Sequence, residues 1–196
     1  METAVKIIIT VLFIALIAIA IVFFGVFGLL PFKKIKVFVD RPAATTTVVE
    51  EKAPPTPLVP DTSPVTFEGE VITKSGEPVR LDVLPGTPEA PQQSNPISKE
   101  VLPESAIQLE ASNAGFAPAS FSVPSGEVVT LSLTSTDTQT HVFKFESSAL
   151  SAVAIGVGPG ETRAITFNAP EKGAYVFYCD VPGHRGRGEE GTMTVE

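Results

Sequence analysis

One cysteine and two histidines make up the chain's whole inventory of strong transition-metal donors, and all three lie between positions 141 and 184 of a 196-residue sequence. His141 opens the alternating run His141-Val142-Phe143-Lys144-Phe145. Cys179 closes Tyr175-Val176-Phe177-Tyr178-Cys179, and His184 follows five residues later on Asp180-Val181-Pro182-Gly183. A thiolate with two imidazoles is a soft-to-borderline donor set that suits copper, and a trigonal His₂Cys site is a known electron-transfer arrangement. Each residue alone has a plainer reading: a small buried hydrophobe for the cysteine, a structural or surface residue for each histidine. A nucleophilic Cys–His pair is a third possibility. The joint placement, with no histidine elsewhere, favours one metal centre. A single cysteine excludes internal disulfides, Cys₂ zinc sites and a binuclear copper site that needs two thiolates. Copper enzymes with further metal centres need additional histidines, which the chain lacks.

The elements that must position these residues are strands. In His141–Phe145 the odd positions alternate with Val142 and Lys144, so His141 shares the inward face with Phe143 and Phe145. Further short runs occur at Ile107–Glu110, Val128–Leu133 and Ala164–Phe167. They are separated by the turn signals Pro124-Ser125-Gly126, Gly158-Pro159-Gly160, Glu171-Lys172-Gly173 and Pro182-Gly183. Short strands with regular turns predict an all-β sandwich or barrel of about seven or eight strands over 106–196. One helical turn is expected within Ser147–Val153. The Pro-Gly turn folds the chain so that Cys179 and His184 face one point.

The mean hydropathy of +0.26 is high for a chain with 18 prolines and a net charge of −8. It resolves into unlike parts. Ile7–Phe32 is a run of 26 uncharged, mostly apolar residues. As a helix at ~1.5 Å per residue it would be roughly 39 Å long, enough to cross a hydrocarbon core of about 30 Å with tilt. No small-x-small cleavage signal stands behind it. Residues 1–40 are therefore expected to form a single-pass membrane anchor with short flanks. Lys33, Lys34 and Lys36 follow the span, which by the positive-inside rule would hold the remainder in the cytoplasm. Copper chemistry argues for the extracytoplasmic face of the cell membrane, and that placement is the expectation adopted. Residues 41–105 hold 12 of the 18 prolines and few large apolar groups. They are expected to be a Pro/Thr-rich linker, with a β-hairpin at 65–84. The acidic balance argues against nucleic acid as a partner.

Phe177-Tyr178-Cys179-Asp180-Val181-Pro182-Gly183-His184, followed by Gly188 and Gly191-Thr192-Met193-Thr194-Val195, resembles the copper loop and last strand of the cupredoxins. The Cys-x₄-His spacing is similar to that of the azurin, auracyanin and phytocyanin branches. Phe116-Ala117-Pro118, Val123-Pro124-Ser125-Gly126 and Gly160-Glu161-Thr162 also resemble family segments. The resemblance covers about Ala106–Glu196. It implies a Greek-key β-sandwich, one mononuclear Cu(I)/Cu(II) ion and single-electron transfer, with His141, Cys179 and His184 as equatorial ligands. Many relatives carry Met or Gln five residues after the loop histidine. Here that position is Glu189, which either binds as a harder, anionic axial donor or stands as a solvated turn carboxylate. Met193, nine residues past His184, is expected in the core. Backbone donors to the thiolate are expected from the loops holding Thr140 and Asp180. Thr138, Gln139 and Thr140 are expected to tie the metal-binding loops together.

The resulting expectation is a monomeric copper domain that passes electrons between redox partner proteins at the membrane surface and is not an enzyme. The alternative is a copper module for capture, delivery or sensing. Arg185 and Arg187, beside His184, either receive an acidic partner or stand solvated.

Overall fold

The computed structural model describes residues 53–196, and Glu50–Glu196 forms one compact unit. Eleven strands occur among the described residues: β1 Thr56–Pro57, β2 Pro64–Val65, β3 Ile107–Ser112, β4 Gly115–Ala117, β5 Ser120–Val123, β6 Val128–Ser135, β7 His141–Phe145, β8 Ala154–Val157, β9 Thr162–Asn168, β10 Gly173–Cys179 and β11 Glu190–Val195. The short β1 and β2 pair with each other. The rest form a five-stranded sheet in the order β5-β11-β10-β7-β8 and a four-stranded sheet in the order β4-β3-β6-β9. The only helical pieces described are three-residue 3₁₀ turns, and the one at Ser148–Leu150 lies inside the expected helical turn. None is long and apolar enough to cross a membrane, and the expected anchor lies outside the described residues.

Strand alternation explains how two sheets share one core. In β7 the pattern runs buried, half-buried, buried from His141 to Phe145, so the inward face holds His141, Phe143 and Phe145 as the alternation predicts. Leu131 and Leu133 of β6, Ile165 and Phe167 of β9 and Phe177 of β10 meet them. The Phe177 ring lies 5.0 Å from that of Phe143 and 5.4 Å from that of Phe116, both by ring centroids. Met193 is fully buried in this cluster, as expected of a core residue. Gly191, opposite Phe177 on β11, has no alternative, because a Cβ there would overlap the Ala119 carbonyl and the Phe177 ring. Nine strands in the two sheets exceed the expected seven or eight. The edge strand β8 was missing from the sequence reading because Ala-Ile-Gly-Val is too short to show an alternation.

The largest departure from expectation concerns residues 53–105. Val59 and Ala90 are fully buried, Val71 and Ile72 are nearly so, and Leu81 packs against the main core. The expected hairpin over 65–84 is replaced by two tight turns of the same sequence form, Thr66-Phe67-Glu68-Gly69-Glu70 and Thr73-Lys74-Ser75-Gly76-Glu77. In each, the first threonine accepts the glycine N–H on its carbonyl and the glutamate N–H on its hydroxyl. Both glycines have positive φ, +83° and +90°, which a β-carbon would strain. Beyond the turns the chain runs along the sandwich as a strap. Ser94 N–H donates to the Ala164 carbonyl, Ala164 N–H returns to the Ser94 hydroxyl, and Ile97 N–H donates to the Thr162 carbonyl. These bonds occupy the free edge of β9. Gln93 Oε1 accepts Gly156 N–H on β8, the neighbouring edge of the other sheet. Asn168 receives Val71 N–H and donates to the Gly69 and Gly126 carbonyls. Exposed strand edges invite pairing with other chains, and the strap removes two of them.

Candidate metal centre

The strand ends deliver the donor residues to one end of the sandwich. His141 is the first residue of β7 and Cys179 the last of β10, and the two strands pair antiparallel with Cys179 opposite Phe143. After Cys179 the chain turns at Gly183, φ +84°, and again at Gly188, φ +100°, both conformations that suit glycine. The second turn brings Glu189 back beside β10, where Cys179 N–H donates to the Glu189 carbonyl at 2.9 Å. Glu189 therefore points inward with no exposed surface. The solvated-turn alternative does not describe it.

Four potential donor atoms, one each from His141, Cys179, His184 and Glu189, lie within 4.8 Å of one another. Glu189 Oε2 sits 2.8 Å from His141 Nδ1 and 3.0 Å from His184 Nδ1. Cys179 Sγ lies 3.5 Å from His184 Nδ1 and accepts the Val142 N–H at 3.4 Å. His141 and Glu189 are fully buried, Cys179 is 1% exposed and His184 7%. Burial pushes the Cys179 thiol up, against the lowering effect of backbone N–H groups at Val142 and Val181. Burial acts in the same upward sense on Glu189. Hydrogen bonds from His141, Cys179, His184 and Arg187 outweigh it and hold the carboxyl below its usual range. A buried carboxylate among two imidazoles and a thiol is costly unless every lone pair is met, and here Arg187 Nη2 donates to Oε1 at 3.0 Å.

The backbone donors to the Cys179 sulfur are Val181, in the loop that holds Asp180 as expected, and Val142, in β7 two residues beyond Thr140; Asp180 N–H itself goes to the Val142 carbonyl. Gln139 does tie the loops, since its Oε1 accepts from Arg187 Nη2 at 3.1 Å. Arg185 is held by Glu146 and Glu190 at 3.1 Å each and lies over the Tyr178 ring. Both arginines beside His184 are exposed, as the solvated reading expects, and each is also paired with an acidic residue of this chain, Arg187 with Glu189. The sequence reading missed Asp137, whose Oδ1 lies 3.1 Å from His141 Nε2. The Gln139 backbone N–H, supported by His141 and the Asn113 N–H, holds the Asp137 carboxyl down to about 2. The available signal was its position four residues before a candidate ligand.

A family model for the cupredoxin-like domain matches residues 92–195, more than half of the chain. The chain belongs to the cupredoxin-like family. The cupredoxin match begins inside the strap, at Gln92, two residues before the first edge bond to β9 at Ser94. No curated protein matches the sequence. Among solved structures, the chain is similar to dithionite-reduced auracyanin from Roseiflexus castenholzii at 28% identity and a TM-score of 0.41, covering 47% of this chain and 98% of that one. It is similar to auracyanin B at 25% identity and a TM-score of 0.42, covering 55% and 98%. It is also similar to auracyanin A, a "blue" copper protein from Chloroflexus aurantiacus, at 21% identity and a TM-score of 0.39, covering 46% and 98%.

Proposed function

We propose that this cupredoxin-like domain binds one copper ion through His141, Cys179, His184 and Glu189 and carries single electrons between redox partners. The observation that supports this most directly is the convergence of an S, N, N, O donor set within 4.8 Å inside a buried pocket. The fit follows from donor chemistry: one thiolate and two imidazoles favour copper, and the carboxylate favours Cu(II) over Cu(I). When bound, copper would supply a one-electron couple.

The chain's own residues do the rest. Strands β7 and β10 fix His141 and Cys179 on a rigid sheet, which limits rearrangement between oxidation states. Val142 N–H stabilises negative charge on the sulfur. Arg187, braced by Gln139, holds Glu189 Oε1 and leaves Oε2 facing both Nδ1 atoms. His184 is the most exposed of the four, so its ring edge is the route to a partner.

Titrating the full chain with Cu(II) should give an intense thiolate-to-copper absorption that bleaches and returns on reduction and reoxidation. Cys179→Ser should abolish the band. A coloured complex that loses its metal at each reduction would instead support capture or delivery, a reading favoured by the harder carboxylate donor.

We also propose that residues 1–40 anchor the protein as a single membrane pass, with the copper domain on the extracytoplasmic face. The uncharged run Ile7–Phe32 supports the anchor, and the thiolate copper chemistry supports the face. Protease added to intact cells should then digest the domain. Digestion only after lysis would overturn the placement.

A further inference from the structure

Asp137 stands in the loop between β6 and β7 and is gripped from two sides. Its Oδ1 accepts the Gln139 N–H at 2.8 Å, and its Oδ2 accepts the Asn113 N–H, from the turn after β3, at 2.8 Å. A carboxylate held by two backbone donors from separate loops cannot follow the histidine if the ring moves. The ring must follow the carboxylate. Facing it at 3.1 Å is His141 Nε2, and the opposite nitrogen, Nδ1, points inward to Glu189 Oε2 at 2.8 Å. His184 has no second carboxylate partner of this kind among the described residues, its acidic contact being Glu189 alone. The two imidazoles are therefore supported unequally: one is braced from behind and the other stands on its own loop.

We infer that Asp137 is a positioning residue for the centre: it holds the Nε2 proton of His141 and so leaves Nδ1, the nitrogen that faces Glu189 Oε2, as the one that would exchange its hydrogen bond for a metal. The carboxylate also places a fixed negative charge one imidazole away from the donor cluster. A hydrogen-bonded carboxylate behind an imidazole fixes its orientation and raises its basicity toward a metal. The copper-dependent part of this inference rests on the function proposed above. The orientation of the ring does not.

The test uses the full chain labelled with ¹⁵N, metal-free and copper-loaded, as wild type, Asp137→Ala and Asp137→Asn. In the metal-free protein the His141 Nε2 proton should exchange slowly with water in the wild type. It should stay slow in Asp137→Asn, whose amide oxygen can still accept it, and become fast in Asp137→Ala. Cu(II) affinity should fall by roughly 10- to 100-fold in Asp137→Ala, with most of it recovered in Asp137→Asn. The midpoint potential should rise in both variants, because both remove the charge. A His141 Nε2 proton still protected in Asp137→Ala would overturn the inference, as would unchanged affinity and potential in that variant. If Asp137→Ala fails to fold, an unchanged potential in Asp137→Asn overturns the charge effect. Wild type that takes up no copper would refute the copper reading, and the proton-exchange comparison would still decide whether Asp137 holds the ring.

Discussion

Glu189→Met raises the midpoint potential of the copper form and moves its spectrum toward a more trigonal thiolate site. The direction follows from charge: an anionic oxygen stabilises Cu(II) more than Cu(I), and a thioether reverses that preference. A unit charge at about 4 Å in an effective dielectric near 20 is worth ~4 kcal/mol. At about 2.3 kcal/mol per 100 mV this sets a scale of roughly 170 mV. The substitution has a second effect in the metal-free chain. Glu189 Oε2 is the buried partner of both Nδ1 atoms, and Oε1 holds the Arg187 guanidinium. Removing one partner of a buried ionic group commonly costs about 3–5 kcal/mol, so the metal-free variant should melt well below the wild type. Glu189→Gln, of nearly the same shape, separates charge from packing. Spectroelectrochemical titration beside thermal melting reads both effects, and an unaltered potential and spectrum in Glu189→Met would remove Glu189 from the ligand set.

Cutting the chain to Ala106–Glu196 lowers stability and promotes association, although this fragment holds every candidate ligand. The fragment loses the Ser94 and Ile97 bonds that occupy the edge of β9, the Gln93 contact to β8 and the Asn168 contacts to Gly69 and Val71. Thr130 and Thr166 bond to each other on the face of β6 and β9 turned away from the sandwich core, yet both are buried. Without the strap that face and both edges open to solvent and to other chains. A loss of about 2 kcal/mol would lower the melting temperature of a domain this size by roughly 10 °C. Comparing Ala106–Glu196 with Glu50–Glu196 by calorimetry and light scattering checks it. Equal melting temperatures and a monomeric short fragment would show the strap to be passive.

What the sequence showed and what it hid follow from how far each signal reaches. The alternation in His141–Phe145 is local, and it placed His141 on the core face correctly. The five-residue interval from Cys179 to His184 is also local, and the structure brings that pair within 3.5 Å. The strap was misread because a composition averaged over 65 residues hides a few well-placed apolar groups. Val59, Val71, Ile72 and Ala90 are such groups, and all four are buried. The two Thr-x-x-Gly-Glu turns, seven residues apart, were a legible sign of order that the proline count obscured. Asp137 stayed hidden because its role depends on Asn113, which lies 24 residues away and meets it only once β3 and β6 pair side by side. Such parallel pairing leaves no mark on either strand alone. Glu189 was legible as a position but not as an inward-facing side chain, since that orientation depends on the turn at Gly188.

The small exposed margin of His184 also bears on how the centre would fill and empty. Three of the four donors have almost no exposed surface, so an ion entering or leaving the proposed site would need residue 184 to move aside. That residue sits on a short turn closed by its own N–H to the Val181 carbonyl and by Arg187 N–H to its carbonyl. The turn is latched on the outside by the ion pairs of Arg185 with Glu146 and Glu190. In the proposed function an electron would cross the ring edge without opening anything, whereas an ion would wait for this turn to open. Under the function proposed above, the same histidine would be a fast conductor for charge and a slow door for metal.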